Sequence, residues 1–120
     1  MERAIALYAG DYLQELDYVW LLPNREYLKN LYFEARLGLA RYYLERKDYN
    51  RTISHLQLLA GLDPLSEEIH RLLMTAYAGL GNRSAVREQY HSLTLILKNE
   101  LGLNPSQETQ EVYDRASGAG

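Results

Sequence analysis

The chain repeats itself at an interval of 34 residues: Leu39 and Leu73, Tyr43 and Tyr77, Asp48 and Asn82, and Leu59 and Leu93 are each separated by it. A period of this length is one helix–turn–helix unit used twice. In each copy a Leu and a Tyr four positions later share one face of a first helix. An Asp or Asn then stands where a tight turn must cap the second helix. Such a pair cannot bury its apolar face alone, so the pairs must stack, and the stack presents its first helices on a concave side.

The rest of the sequence agrees with an all-α chain, because no stretch alternates polar and apolar residues for long. A first helix is expected between Asn24 and Arg46, entered through Pro23 and carrying Leu28, Leu31, Tyr32, Ala35, Leu39, Tyr42 and Tyr43 as its apolar stripe. A second is expected from Tyr49 to Ala60, capped by Asp48 and stopped by Gly61, with Ile53, Leu56 and Leu59 inward. Ser66–Leu80 and Arg83–Leu101 follow the same pattern on either side of Gly81–Asn82, and Ser106 caps a short last helix to about Arg115, packed by Val112. Glu2–Tyr8 reads as helical, and Tyr12–Leu22 as an aromatic-rich connection. One domain is expected over residues 1–116, with Ser117–Gly120 as a disordered tail or expression remnant.

Composition narrows the function classes. With no Cys, thiolate metal sites, iron–sulfur clusters and a Cys nucleophile are excluded. A formal charge of −3 opposes a phosphate-binding surface, and no apolar run approaches the roughly 20 residues of a membrane span. Neither direct nucleic-acid binding by this segment nor membrane insertion is therefore expected. His55, His70 and His91 lack metal-ligand spacing. Ser66, Ser84, Ser92, Ser106 and Thr109 lack a nucleophile elbow, and Ser66 and Ser106 read as helix caps. Glu67 and Glu68 suit the first turn of a helix. No enzyme and no cofactor is expected. The eleven Tyr are the compositional oddity: Tyr32, Tyr43, Tyr77 and Tyr90 fall on apolar stripes, whereas Tyr12, Tyr18 and Trp20 are candidates for a contact patch.

The repeated unit resembles the tetratricopeptide repeat, departing from it at Lys47, where the turn usually has Gly, and at Thr52 and Val86, where the second helix usually has Ala. The flanking segments resemble something more particular. Ala6–Leu7–Tyr8–Ala9–Gly10–Asp11–Tyr12–Leu13, Trp20, the Arg25-to-Leu31 helix start, Asp63–Pro64–Leu65 with Glu67, His70 and Leu72–Leu73–Met74, and Glu100–Leu101–Gly102–Leu103–Asn104–Pro105–Ser106 with Glu108–Thr109 are similar to the bacterial transcriptional activator domain of Streptomyces antibiotic regulatory protein-type activators. The resemblance implies an all-α, tetratricopeptide-like right-handed α-solenoid of antiparallel helix pairs. It also implies a regulatory module of a cytoplasmic DNA-binding activator, placed after a winged-helix domain that this chain lacks, with an N-terminal helix of the module truncated.

The expected role is non-catalytic protein contact, with the transcription machinery or other domains of the same activator as partners; the competing reading is a free-standing adaptor that holds a peptide in its concave groove. Groove candidates are Glu34, Arg41 and Glu45 in one unit and Glu68, Arg71 and Thr75 in the next, with Arg41–Glu45 as an i,i+4 pair. Ile5, Leu7 and Tyr8, if they lack a covering helix, are expected to drive weak homodimerisation.

Overall fold

The computed structural model describes residues 25–118, and these form five helices without a strand among them: α1 Arg25–Glu45, α2 Tyr49–Leu62, α3 Glu67–Gly79, α4 Arg83–Leu101 and α5 Gln107–Ala116. Turns of three residues join α1 to α2 and α3 to α4, and the 34-residue correspondence holds in atomic detail. The Asp48 side chain accepts from the Arg51 amide at 3.3 Å, and that of Asn82 from the Ala85 amide at 3.1 Å. The amides of Asp48 and Asn82 reach back to the carbonyls of Tyr43 and Tyr77, both at 2.9 Å.

Each turn needs one residue in the left-handed region. Gly81 supplies it at φ 75°, and Lys47 adopts φ 60° in the equivalent place. A side chain there costs about 1–2 kcal/mol, of which Gly forfeits about 0.5–1 kcal/mol through its freer unfolded chain. Lys47→Gly is accordingly expected to stabilise the domain by on the order of 0.5–1 kcal/mol. Urea denaturation would show a raised midpoint, and a lowered one would contradict the strain.

Side-chain contacts join consecutive helices: Arg36 meets His55 across α1 and α2, and Gln57 meets Tyr77 across α2 and α3. The core lies mainly between α1, α2 and α3, where Leu37, Ala40, Ile53, Leu56, Leu59, Ile69, Leu73 and Ala76 are buried together. Val86, Leu93 and Leu97 carry the apolar interior into α4. Gly79 lies directly under the Tyr49 ring, so close that a Cβ there would fall 2.3 Å from Cζ. The all-α, tetratricopeptide-like class expected from the sequence is the one observed. After Gly102, in the left-handed region at φ 65°, α5 runs alongside α3 in the same direction, with its start at Glu67 and its end near Arg83, where the first helix of a third pair would lie.

Several sequence expectations need correction. In α1, Leu31 and Tyr42 are 50% and 46% exposed, while Arg36, Leu37 and Ala40 are buried. The helix is apolar around most of its circumference, so spacing alone admitted more than one stripe. Of the four stripe tyrosines only Tyr43 is buried; Tyr32, Tyr77 and Tyr90 are half-buried. Gly61 does not stop α2, which runs to Leu62 before Asp63 closes it with an amide bond to the Leu59 carbonyl at 2.8 Å. Pro64 explains the stop, because it disfavours helix at the residue before it. Ser66 occupies the N-cap position of α3 without a side-chain capping bond. Ser117 is the C-cap of α5, its amide bonded to the Tyr113 carbonyl at 2.8 Å, and Gly118 sits beside the Arg83 guanidinium.

Candidate functional site

The first-helix face carries the expected groove residues, but their partners differ from those expected. Arg41 forms its ion pair with Glu68 of α3, not with Glu45 of its own helix. The pair ties α1 to α3, and both side chains remain nearly half exposed. Glu34, Glu45 and Thr75 are exposed, and the Thr75 hydroxyl donates to the Arg71 carbonyl at 2.9 Å. Arg71 faces α5: its Nη1 donates to Thr109 Oγ1 at 3.0 Å, and its Nε lies 3.5 Å from Glu108. Arg71 is thus covered by the chain's own last helix, while Glu68 and Thr75 beside it stay accessible. Ile5, Leu7 and Tyr8, like Tyr12, Tyr18 and Trp20, lie outside the described residues.

The seat of α5 is a dense polar cluster. One Glu67 carboxylate oxygen accepts from the Ser106 amide at 2.9 Å and the Thr109 hydroxyl at 2.7 Å. Ser106 caps α5 in turn, accepting from the Thr109 amide at 3.3 Å. Thr109 is fully buried, and its hydroxyl also accepts from Arg71 and Ser106. Glu67 is therefore more than a first-turn carboxylate. Partial burial raises its pKa, but bonds from Ser106 and Thr109, with the charge of Arg71, outweigh this and leave it below the ordinary value. Farther along, Tyr113 stacks on Tyr90 at 4.1 Å between centroids. Burial first, then Asp114, Tyr113 and Glu67, hold the Tyr90 phenol above its usual range.

His70, buried beside this cluster, has both ring nitrogens engaged: Nε2 donates to the Pro64 carbonyl at 2.9 Å, and Nδ1 accepts from the Gln89 amide at 2.6 Å. That arrangement is complete only for the neutral ring. Burial lowers its pKa, and the Pro64 carbonyl with Glu67 and Asp63 only partly opposes the shift. Between the folded value and about 6.5 the unfolded chain binds the extra proton, so stability is full above that range and falls as pH drops through it. Glu67 adds a second loss below about 4.5, as its depressed carboxyl protonates. Tm is expected to decline in two steps on acidification. His70→Gln should remove the upper step and Glu67→Gln the lower; an upper step that survives in His70→Gln would assign it elsewhere.

The three shifted groups, Glu67, His70 and Tyr90, serve helix docking. A separate cleft of about 250 Å³ opens between the start of α1 and the end of α2, lined by Glu26, Lys29, Asn30, Phe33, Leu62 and Asp63. Among the described residues no three His, Asp or Glu side chains are grouped to hold a metal ion, and no helix is long and apolar enough to cross a membrane.

Stacked helix pairs closed by a polar-seated last helix define a tetratricopeptide-like all-α domain. The family model described as the bacterial transcriptional activator domain matches residues 1–116, and the chain belongs to that family of bacterial transcriptional activator domains. No curated protein and no solved structure matches it. Glu67, His70, Ser106 and Thr109, which stand in the segments that carry the sequence resemblance, are the residues that seat α5 or hold the α3–α4 packing beside it. Sequence reasoning missed Gln89 and Arg36: a Gln on a helix surface and an Arg amid apolar residues carry no local signal of burial.

Proposed function

We propose that this domain acts within a bacterial transcriptional activator as a non-catalytic, cytoplasmic protein-interaction module, and that the contact surface is the exposed first-helix face around the Arg41–Glu68 pair. The observation that carries this reading is the pair itself. It bridges two repeat units, remains nearly half exposed on both sides, and is flanked by the exposed Glu34, Glu45 and Thr75. A polar face of mixed sign suits an extended polar segment of a partner protein, with charge complementarity setting which partner is accepted. Support for a non-catalytic role comes from the perturbed groups, which are committed to packing between helices.

Arg41→Glu and the swap Arg41→Glu with Glu68→Arg test the reading in the full-length activator, by promoter activation and by co-purification with RNA polymerase. The single change sets two carboxylates side by side, and the swap restores the ion pair with its polarity reversed. Activation and co-purification should be lost in both variants, although the swap regains thermal stability. Full activity in both variants would sink the proposal, and recovery of activity in the swap would make the pair purely structural.

A further inference from the structure

Exposed cations gather at one edge of the domain. The approach of Tyr49, at the start of α2, to Gly79, at the end of α3, sets the two three-residue turns side by side, and Gly118 beside Arg83 brings the end of α5 to the same edge. The first turn and the helix after it carry Arg46, Lys47 and Arg51, and the second Arg83 and Arg87, all exposed. Glu45, Asp48 and Glu88 stand among them, and Asp114 and Arg115 lie at the end of α5. Of the five cations on the turns only Arg51 is matched to a carboxylate, that of Asp48 at 3.5 Å; no ion pair among the described residues includes Arg46, Lys47, Arg83 or Arg87.

Two of these cations are set in place by their surroundings. The Arg46 guanidinium lies 3.6 Å from the Tyr42 ring centroid and its Nη1 donates to the Tyr42 carbonyl at 3.4 Å, so the side chain is held while the residue stays exposed. Tyr42 is itself 46% exposed, which leaves an apolar surface next to the charge. Lys47 holds φ 60° in the position that Gly81 fills in the second turn. A side chain kept where glycine is easier implies a use for its charge, since strain of this kind collects at ligand contacts.

We propose that this edge binds an extended, carboxylate-bearing segment of a partner protein, which meets Arg46 and Lys47 at one turn and Arg83 and Arg87 at the next and lays an apolar residue on the Tyr42 ring. The turns are two helix spacings apart, about 16–20 Å. About five or six extended residues cross that distance. Charge complementarity favours a polypeptide over a nucleic acid, because the twelve Lys and Arg of residues 25–118 are matched by twelve Asp and Glu. The interleaved Glu45, Asp48 and Glu88 repel a continuous row of phosphates, whereas spaced carboxylates pass between them. The site lies at the turns and holds whether or not the first-helix face contacts a partner.

Fluorescence anisotropy with the 120-residue chain and the labelled peptide Glu-Glu-Leu-Glu-Glu-Leu provides the test. Lys47→Gly is expected to weaken binding about threefold although it stabilises the fold, and Arg46→Gln combined with Arg87→Gln about tenfold. Lys98→Gln removes an exposed cation about 22 Å along α4 from Arg83 and should leave the affinity within about twofold. Undiminished affinity in the turn variants overturns the site, as does the absence of saturable binding up to about 1 mM. A loss at Lys98 equal to that at the turns means general charge attraction and overturns it as well. Equal binding of Gln-Gln-Leu-Gln-Gln-Leu rules out carboxylate recognition, and tighter binding of a single-stranded DNA of the same charge gives the edge to phosphates; either result overturns the proposal.

Discussion

Leu73→Ala is expected to lower the unfolding free energy by about 2–5 kcal/mol, the range for deleting a large buried aliphatic side chain whose cavity cannot fully collapse. Leu73 is 1% exposed and lies on α3, the helix packed against α2, α4 and α5, in one cluster with Leu37, Ile53, Leu56, Leu59 and Ile69. Three flanking helices leave little room for relaxation. The repeat equivalent Leu39 is 8% exposed, stands outside that cluster and belongs to α1. Leu39→Ala should cost distinctly less, near the bottom of the range. Leu95, 49% exposed on α4, should respond to Ala within about 0.5 kcal/mol. Since small domains are typically stable by only about 5–15 kcal/mol, urea titrations will separate the three. A larger loss at Leu39 than at Leu73 would show that the core is centred on the wrong pair of helices.

The same contrast explains what could be read from the sequence. The 34-residue interval is a statement about backbone geometry: Asp48 and Asn82 cap their helices, and the residue just before each cap, Lys47 or Gly81, sits at positive φ. Local chemistry of that kind is encoded within a few positions. Helix α4 was bounded correctly at Arg83–Leu101 because Asn82 and Gly102 mark its ends. Which face of α1 turns inward depends on α2, and a helix apolar on most sides cannot announce it. The Arg41–Glu45 pair was drawn from helical spacing, whereas the observed pair spans 27 positions and exists because stacking sets α3 beside α1. The engagement of Arg71 is hidden for a related reason: its partner, Thr109, lies 38 residues away on a helix whose docking site no local pattern specifies.

That docking leads to the second large effect. Helix α5 has ten residues, shorter than the roughly 12–15 needed for even marginal stability in isolation, so its order depends on its seat. It buries one residue fully, Thr109, and Thr109 is polar. The seat is therefore held largely by Glu67, which satisfies the first amide of the capping residue and a buried hydroxyl with one oxygen, while Arg71 braces the same hydroxyl. Bonds to a charged acceptor are worth about 1.5–3 kcal/mol each, and the partial exposure of Glu67 moderates their sum. Glu67→Ala is expected to destabilise α5 by about 2–4 kcal/mol, by local opening before global unfolding. Hydrogen exchange should show amides 107–116 losing most of their protection while those of α2 and α3 keep theirs. Glu67→Gln retains an acceptor oxygen and should lose less; Thr109→Val, which strands both the carboxylate and the guanidinium, should approach the Ala variant. Released α5 would also free Arg71 and uncover Tyr90, so the opening can be followed independently by tyrosine fluorescence. Unchanged protection of α5 in Glu67→Ala would mean that the Tyr90–Tyr113 stack, and not the polar cluster, holds the helix in place.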